Sequence, residues 1–309
     1  MIIIKILEPI GRDEKIWMQE FQKEGVLIEY QDTRSWQDTK LIEYVKDAQV
    51  LVLANRPLSR RVIDSAMSLR LIAIAFTGID HVDQVACRER SIEVKNAPGY
   101  ATHAVAELTI ALAIALCRNL ILASQSLTQK GLFPLGGQLY GKKVGIIGAG
   151  SIGQEVGRLF SAFGSEVVFF HYRNLETKNL KQVGLDDLLK QCDFISLHLP
   201  LNEKTKHLLN REKLSLLKRS AFLINTGRGS LVEESALFDL LKEGKIAGAA
   251  LDVLEQEPPL KEAHPFLKMP NVILTPHVGY RTQEAAFYKA NLVIGHIRNW
   301  IGLGQKTNE

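Results

Sequence analysis

Disulfide chemistry, zinc binding and a cysteine nucleophile find little support in this chain. Its three cysteines, Cys87, Cys117 and Cys192, sit far apart, with no Cys-x-x-Cys pair. Each lies in an apolar or helical stretch, where a thiol acts as a small buried hydrophobe in a reducing compartment. Long hydrophobic runs are missing too. The longest, residues 108–116, is far below the ~20 residues a membrane helix needs. The N-terminal MetIleIleIleLysIleLeuGluPro is a short apolar run without a basic n-region, unlike a secretion signal. A cytoplasmic protein with no membrane partner is therefore expected. The net charge is only +4, with a pI near 8.8. The cations are scattered, as in Arg60-Arg61 and Lys142-Lys143, rather than gathered into one face. That argues against a dedicated nucleic-acid binder, while a mild positive bias suits anionic substrates and cofactors. Repeats and low-complexity tracts are absent as well. Only the terminal GlnLysThrAsnGlu reads as loose.

What is present is a soluble globular composition, 46% hydrophobic and 23% charged. At 309 residues the chain exceeds one ordinary domain of ~100–200 residues, so two are expected. Short Val/Ile-rich runs alternate with longer amphipathic ones. Strands are predicted at 2–6, 26–29, 49–53, 71–75 and 92–95, with helices such as 14–23 and 59–66 between them. Alternation of this kind means βαβ units and a parallel sheet. From Ala101 to about Gln129 the pattern changes to one long apolar helix with sparse charge. A helix so apolar is buried on most sides or packs against another subunit. A second alternating series follows, with strands predicted at 143–147, 166–170, 193–198, 221–225, 247–252 and 272–275, and a final helix at 282–300. The predicted fold class is α/β, with two open parallel-sheet domains. Residues 1–98 plus 281–309 form one, and residues 99–280 a doubly wound dinucleotide-binding domain.

ValGlyIleIleGlyAlaGlySerIleGly ends a buried strand and opens a helix. Gly148, Gly150 and Gly153 fit G-x-G-x-x-G in the context that gives the motif meaning. The first glycine allows a tight turn, the second a close approach of pyrophosphate, the third close helix–strand packing. The helix N-terminus beyond them, starting at Ser151 and Ile152, offers free N–H groups and a positive dipole. The next strand ends with His171-Tyr172-Arg173, where NAD-binding chains usually carry Asp or Glu for the ribose hydroxyls. Without an acid there, a 2′-phosphate meets no repulsion, and Arg173 could clamp it. NADP is therefore favoured over NAD.

Three further segments lie at predicted strand ends: AsnThrGlyArgGly at 225–229, AspValLeuGluGlnGluPro at 252–258, and ThrProHisValGly at 275–279. Together with AsnAlaProGlyTyrAlaThrHisAlaValAlaGlu near residue 100, the glycine loop and HisLeuProLeu at 198–201, they recur in one order over nearly the whole chain. On these motifs the chain resembles the D-isomer-specific 2-hydroxyacid dehydrogenase family. The resemblance implies a flavodoxin-like substrate domain, a Rossmann dinucleotide domain, and hydride transfer between NAD(P)H and a small 2-oxo or 2-hydroxy acid. It implies a catalytic trio of Arg228, Glu257 and His277, with Glu255 as a nearby rival to Glu257. His277 would donate the proton, Glu257 would hold its tautomer and favour its charged form, and Arg228 would bind the carboxylate and polarise the carbonyl. Leu199, Pro200, Thr205, Thr226 and Gly227 would line the cofactor site, with Asp252 and Gly279 near the nicotinamide. Substrate contacts would come from Thr77, Gly78 and Ile79 through backbone N–H groups, and from Asn55 and Tyr100 at the site's mouth. His103, at the start of the long helix, reads as a rim or capping residue. No metal is implied.

The chain departs from the family pattern at His171, at Tyr280, where a small residue is common, and in having no regulatory module expected after the last helix. The resemblance also implies a homodimer through the helix at 104–124. Glyoxylate or hydroxypyruvate reduction leads among the activities, with a short D-3-phosphoglycerate dehydrogenase as the alternative. A reading of another class is a non-catalytic dinucleotide-sensing protein, like the C-terminal-binding-protein corepressors that share the fold.

Overall fold

The structure is a computed structural model that describes residues 1–302, apart from 12, 14–16, 20, 22–24, 126–134, 173–179 and 257–259. It divides into two compact units, Met1–Tyr100 with Arg281–Glu309, and Ala101–Tyr280. Both are α/β units built on open parallel sheets.

In the first unit five strands, β1 (Ile2–Ile6), β2 (Val26–Tyr30), β3 (Val50–Leu53), β4 (Leu71–Ile74) and β5 (Glu93–Lys95), pair in the order β2-β1-β3-β4-β5. Every pairing is parallel. Parallel strands are covered on both faces, and so read as unbroken apolar runs. Strands β3 and β4, ValLeuValLeu and LeuIleAlaIle, are buried at every position. One polar residue interrupts β1. Lys5 is buried, yet its ammonium meets Glu29 at 3.1 Å and Asp47 at 2.6 Å and lies 4.6 Å from the Tyr44 ring centroid. Pairing of this kind is what makes a buried cation tolerable. The described helices here are α1 (Asp38–Val45), α2 (Arg60–Ser65) and α3 (Gln84–Glu89). The C-terminal helix closes the unit. Its Ala290, Val293, Ile294 and Ile297 join Ile4, Ile6, Val50, Val52, Leu71 and Ala73 in one core.

The second unit carries α4 (Thr102–Cys117), α5 (Leu120–Gln125), α6 (Ser151–Ala162), α7 (Leu185–Gln191), α8 (Arg211–Leu214) and α9 (Glu234–Lys242). The C-terminal helix of the first unit is then α10 (Gln283–Trp300). The six strands are β6 (Lys143–Ile147), β7 (Glu166–Phe170), β8 (Phe194–Leu197), β9 (Phe222–Asn225), β10 (Gly248–Leu251) and β11 (Val272–Leu274). Their order is β11-β10-β9-β8-β6-β7, all parallel. Strand order reverses at β6, which has β7 on one side and β8 on the other. Such switch points place ligands at the carboxyl ends of strands. Two apolar layers flank the sheet, one around Leu188, Leu237 and Phe266, the other around Val156, Phe160 and α4.

The apolar helix predicted over 104–124 differs in two ways. It breaks at Arg118 and Asn119, where Asn119 takes φ 51°, a left-handed conformation that Asn tolerates better than most residues. Much of its apolar surface also has an owner inside the unit. Ala106, Ile110, Ala113 and Leu116 pack with Val144, Ile146, Ile224 and Ala250 of the sheet. The predicted helix at 14–23 falls largely outside the described residues.

Candidate active site

The glycine loop runs from the end of β6 into α6. Gly148 has φ 109°, and a Cβ there would fall 2.4 Å from the His198 carbonyl oxygen. A Cβ on Gly153 would come within 1.9 Å of the Gly148 oxygen. Neither neighbour is a side chain that could swing away. Gly150 differs: a Cβ on it would meet nothing within 4 Å. The space beside its backbone is open, in front of the first turn of α6, where Ser151 is exposed and Ile152 half-buried. That suits a pyrophosphate at a helix N-terminus, so the residues present fit a dinucleotide.

The walls of this loop come from neighbouring strand ends. Leu199, after β8, is buried against Gly148, while Pro200 is exposed. Thr205 is buried and shapes its own turn, donating to the Pro200 carbonyl at 2.7 Å and accepting from the Asn202 N–H at 2.8 Å. His198 is half-buried, its ring bonded to the Ser196 hydroxyl at 2.8 Å, and burial pushes its pKa from 6.5 down to about 3. It stays neutral beside the phosphate loop. Beyond β7 comes His171, then Tyr172, whose ring packs edge-on against Phe170 and whose hydroxyl donates to the Lys204 carbonyl. Arg173 lies outside the described residues. His103, at the start of α4, places Nδ1 3.2 Å from Glu155 Oε1. Arg158 and then His103 hold the Glu155 carboxyl down to about pKa 2, so this contact stitches α4 to α6.

Along the carboxyl edge of the sheet, β9, β10 and β11 present the other residues singled out by sequence. Asn225, buried at the end of β9, brackets the turn after it. Its amide donates to the Arg228 carbonyl at 2.9 Å, and its oxygen accepts from the Gly227 N–H at 3.1 Å. Thr226 is buried with its hydroxyl 3.1 Å from that of Thr109 on α4. A Cβ on Gly229 would strike the Leu254 carbonyl carbon at 1.9 Å, so only glycine lets this turn lie against the segment after β10. Half-buried Arg228 is thus carried on a turn with little freedom.

Asp252, buried after β10, accepts from the Thr275 hydroxyl at 2.6 Å and from the N–H groups of Val278 and Gly279 at 2.8 Å each. Its own carbonyl accepts from the His277 N–H at 2.8 Å. His277 is held at φ 52°, a conformation costing a non-glycine residue of order 1 kcal/mol. Its ring stands edge-on to Tyr280, 5.7 Å between centroids. Glu257 lies outside the described residues. Glu255 is engaged elsewhere: its carboxylate lies 3.0 Å from His207 Nε2 and accepts the Glu234 N–H, while its own N–H donates to Glu234 Oε1.

The first unit brings its own residues to a strand edge. Asn55 and Thr77 are exposed, Gly78 and Ile79 half-buried, Tyr100 buried. Thr77 Oγ1 donates to the Ala97 carbonyl at 3.2 Å, and the Asn96 amide donates to the Thr77 carbonyl at 2.6 Å. Arg56, beside Asn55, is a structural tie: its guanidinium donates to the carbonyls of Thr33 and Trp36. Among the described residues no group of three or more His, Cys, Asp or Glu side chains is placed to hold a metal ion, and no helix is long and apolar enough to cross a membrane.

Residues 110–279, more than half the chain, match the D-isomer specific 2-hydroxyacid dehydrogenase, NAD binding domain, family. The chain belongs to this family. The dehydrogenase is 40% identical over 273 residues to D-3-phosphoglycerate dehydrogenase of Methanocaldococcus jannaschii, covering 84% of this chain. It spans about half that protein's length (51%). It is 38% identical over 254 residues to hydroxypyruvate reductase of Thermotoga maritima, covering 80% of this chain and 82% of that one. Among solved structures it resembles the NADPH-dependent glyoxylate/hydroxypyruvate reductase of Sinorhizobium meliloti, in complex with NADP and malonate. The TM-score is 0.87 at 29% identity, covering 98% of this chain and 95% of that chain.

Two outcomes follow for the dehydrogenase. Gly153→Ala should abolish or cut nicotinamide-dinucleotide binding at least about tenfold, because the clash is with backbone. Fluorescence titration checks this; unchanged affinity contradicts the glycine-loop assignment. His198, held neutral in the fold, takes a proton only on unfolding between about pH 6.5 and 3. Its folded pKa is depressed, so stability is full above pH 6.5 and falls as pH drops through that window. His198→Asn should flatten the fall, read as the urea midpoint from pH 7 to 4; an unaltered slope contradicts it.

Proposed function

We propose that this dehydrogenase reduces a small 2-oxo acid, of glyoxylate or hydroxypyruvate type, to the D-2-hydroxy acid with NADPH. The observation that carries the reading is the carboxyl edge of the second sheet. Arg228 follows β9 and His277 follows β11, with β10 between them. Two strand spacings separate their strands by roughly 10 Å, and Asp252 of the central strand fixes the His277 turn. A bound nicotinamide cofactor supplies the hydride. Arg228 binds the substrate carboxylate with its planar fork and draws charge toward the carbonyl oxygen. His277 gives that oxygen its proton, and takes it back in the oxidative direction. Glu257 is assigned the role of holding the imidazole's tautomer. Support for Glu257 over Glu255 comes from the commitment of Glu255 to His207 and Glu234. In the first unit, Thr77, Gly78 and Ile79 hold the substrate carboxylate through main-chain N–H groups, with Asn55 and Tyr100 beside them. Asp252 and Gly279 face the nicotinamide end of the cofactor.

NADP is the proposed cofactor because His171 and Tyr172, not an acid, follow β7, and the next residue in sequence, Arg173, is of the type that clamps a 2′-phosphate. The cytoplasm is the proposed compartment, where three buried cysteines stay as free thiols. A homodimer through the 104–124 region is proposed as well. Leu120 and Ile121 of α5 are each about half exposed, and Tyr140 is 71% exposed, apolar surface that a partner copy would cover. Sedimentation should show a dimer at micromolar concentration; a monomer contradicts it.

The activity is tested by NADPH oxidation with glyoxylate and hydroxypyruvate, against NADH and against 3-phosphoglycerate with NADP in the oxidative direction. Turnover with NADPH should exceed that with NADH, and His277→Ala should lower kcat by about 10²–10⁴ with cofactor affinity retained. A tenfold preference for NADH overturns the cofactor assignment. Dinucleotide binding with no turnover of any of these acids overturns the enzyme reading in favour of a dinucleotide sensor.

A further inference from the structure

The five-stranded sheet has a switch point of its own. Strand order reverses at β1, which lies between β2 and β3. In open parallel sheets the carboxyl ends of strands at such a point are where ligands sit. Here two charged side chains are buried: Glu8, just after β1, at 5% exposure, and Lys289 of α10, at 7%.

Glu8 does something specific. One of its carboxylate oxygens accepts three consecutive main-chain N–H groups from the loop after β3, Ala54 at 2.7 Å, Asn55 at 2.8 Å and Arg56 at 2.8 Å. Converging amides of this kind form a nest that could otherwise capture an anion. An internal carboxylate fills it instead, and the hydrogen bonds are charge-assisted. With the amides of the loop so engaged, Asn55 is left to offer its exposed side chain.

Lys289 supplies the opposite charge. Burial pushes its ammonium toward the neutral form, and the field of Glu8 resists that shift. The loop after β1 lies directly on this part of α10. Gly11 has φ 97°, and a Cβ on it would fall 2.9 Å from Ala286 Cβ and 3.0 Å from Lys289 Cε. Lys289 Nζ is also 6.0 Å from the Tyr100 ring centroid, and Tyr100 packs against Phe76, which precedes the Thr77–Gly78 turn. Two turns further along α10, His296 Nε2 lies 2.8 Å from the Asn96 carbonyl, and Asn96 in turn holds Thr77. One helix therefore packs on the loop that carries Glu8 and reaches the Thr77 turn through Tyr100 and Asn96.

We propose that Glu8 and Lys289 are positioning residues for the substrate: the buried Glu8 carboxylate binds the main chain of the Asn55 loop, and the buried Lys289 ammonium, packed under the loop after β1, balances its charge. The proposal rests on the reading of Asn55 as a substrate-binding residue. Stability of the loop is served separately, since Arg56 already fastens its far side to Thr33 and Trp36. The couple acts on the near side, where Asn55 sits.

The test uses the full chain and four variants: Glu8→Gln, Lys289→Met, Lys289→Arg and the double Glu8→Gln/Lys289→Met. Three quantities are read: amide hydrogen exchange in the peptide spanning Ala54 to Arg56, KM for glyoxylate, and NADPH affinity. Glu8→Gln should speed exchange at these amides and raise KM for glyoxylate about tenfold, the scale of losing a charge-assisted hydrogen bond. NADPH affinity should move less than about twofold on the same scale, since the glycine loop belongs to the other unit. Lys289→Met should act in the same direction and Lys289→Arg should restore KM. The double variant should be no worse than Glu8→Gln, because the two charges work as one unit. If Glu8→Gln does not fold, Lys289→Met against Lys289→Arg decides the question. Unchanged exchange, or faster exchange with unchanged KM, overturns the proposal. Absence of turnover in the unmodified chain overturns the activity instead, and exchange in the single and double variants still decides whether the couple holds the loop.

Discussion

The carboxylate of Asp252 accepts one hydroxyl and two main-chain N–H groups from the segment after β11, and its own N–H donates to the Asn225 carbonyl at the end of β9. Three strand ends are tied by one buried residue, through its carboxylate on one side and its main chain on the other. A buried carboxylate needs such donors, since leaving it unsatisfied is costly. The arrangement therefore satisfies itself only when the turn carrying His277 is in place. That turn includes a left-handed histidine, whose backbone cost is offset locally by the same hydrogen bonds. Arg228 depends on the neighbouring knot, where Asn225 brackets its turn and Gly229 seats it against Leu254. Rigid strands with short, fully bonded turns at their carboxyl ends can hold reactive groups to the tolerance that proton and hydride transfer demand.

The strands were legible because parallel sheets demand apolar residues on both faces. β1, β6 and β7 occupy the predicted 2–6, 143–147 and 166–170, and other strands differ by a residue or two at their ends. The glycine loop was legible for a related reason, since close backbone approach leaves no other residue type. The break between α4 and α5 was not. Apolar residues resume directly after Arg118-Asn119, and a break that rests on one left-handed Asn leaves no periodic signal. Nor did composition show that α4 spends its apolar face on its own sheet.

The bonds that fix the candidate site were the least legible. Glu8 finds its partners 46 to 48 residues away, and His207 finds Glu255 48 residues away. No local pattern reports such pairings. One signal was there to be used: Ala285, Lys289, Ala290, Val293, Ile294 and Ile297 share the buried face of α10, so a charge at 289 breaks an apolar stripe. Asn225 carried a similar hint, a polar residue closing an otherwise apolar strand.

A dehydrogenase of this design passes hydride directly to a 2-oxo acid, and to one face only. Reduction of hydroxypyruvate with NADPH deuterated on the transferred face of nicotinamide C4 tests it most directly, with the product analysed for chirality and for deuterium. The account requires D-glycerate with one deuterium at C2. Glycerate of the L form, or D-glycerate without deuterium at C2, would contradict it.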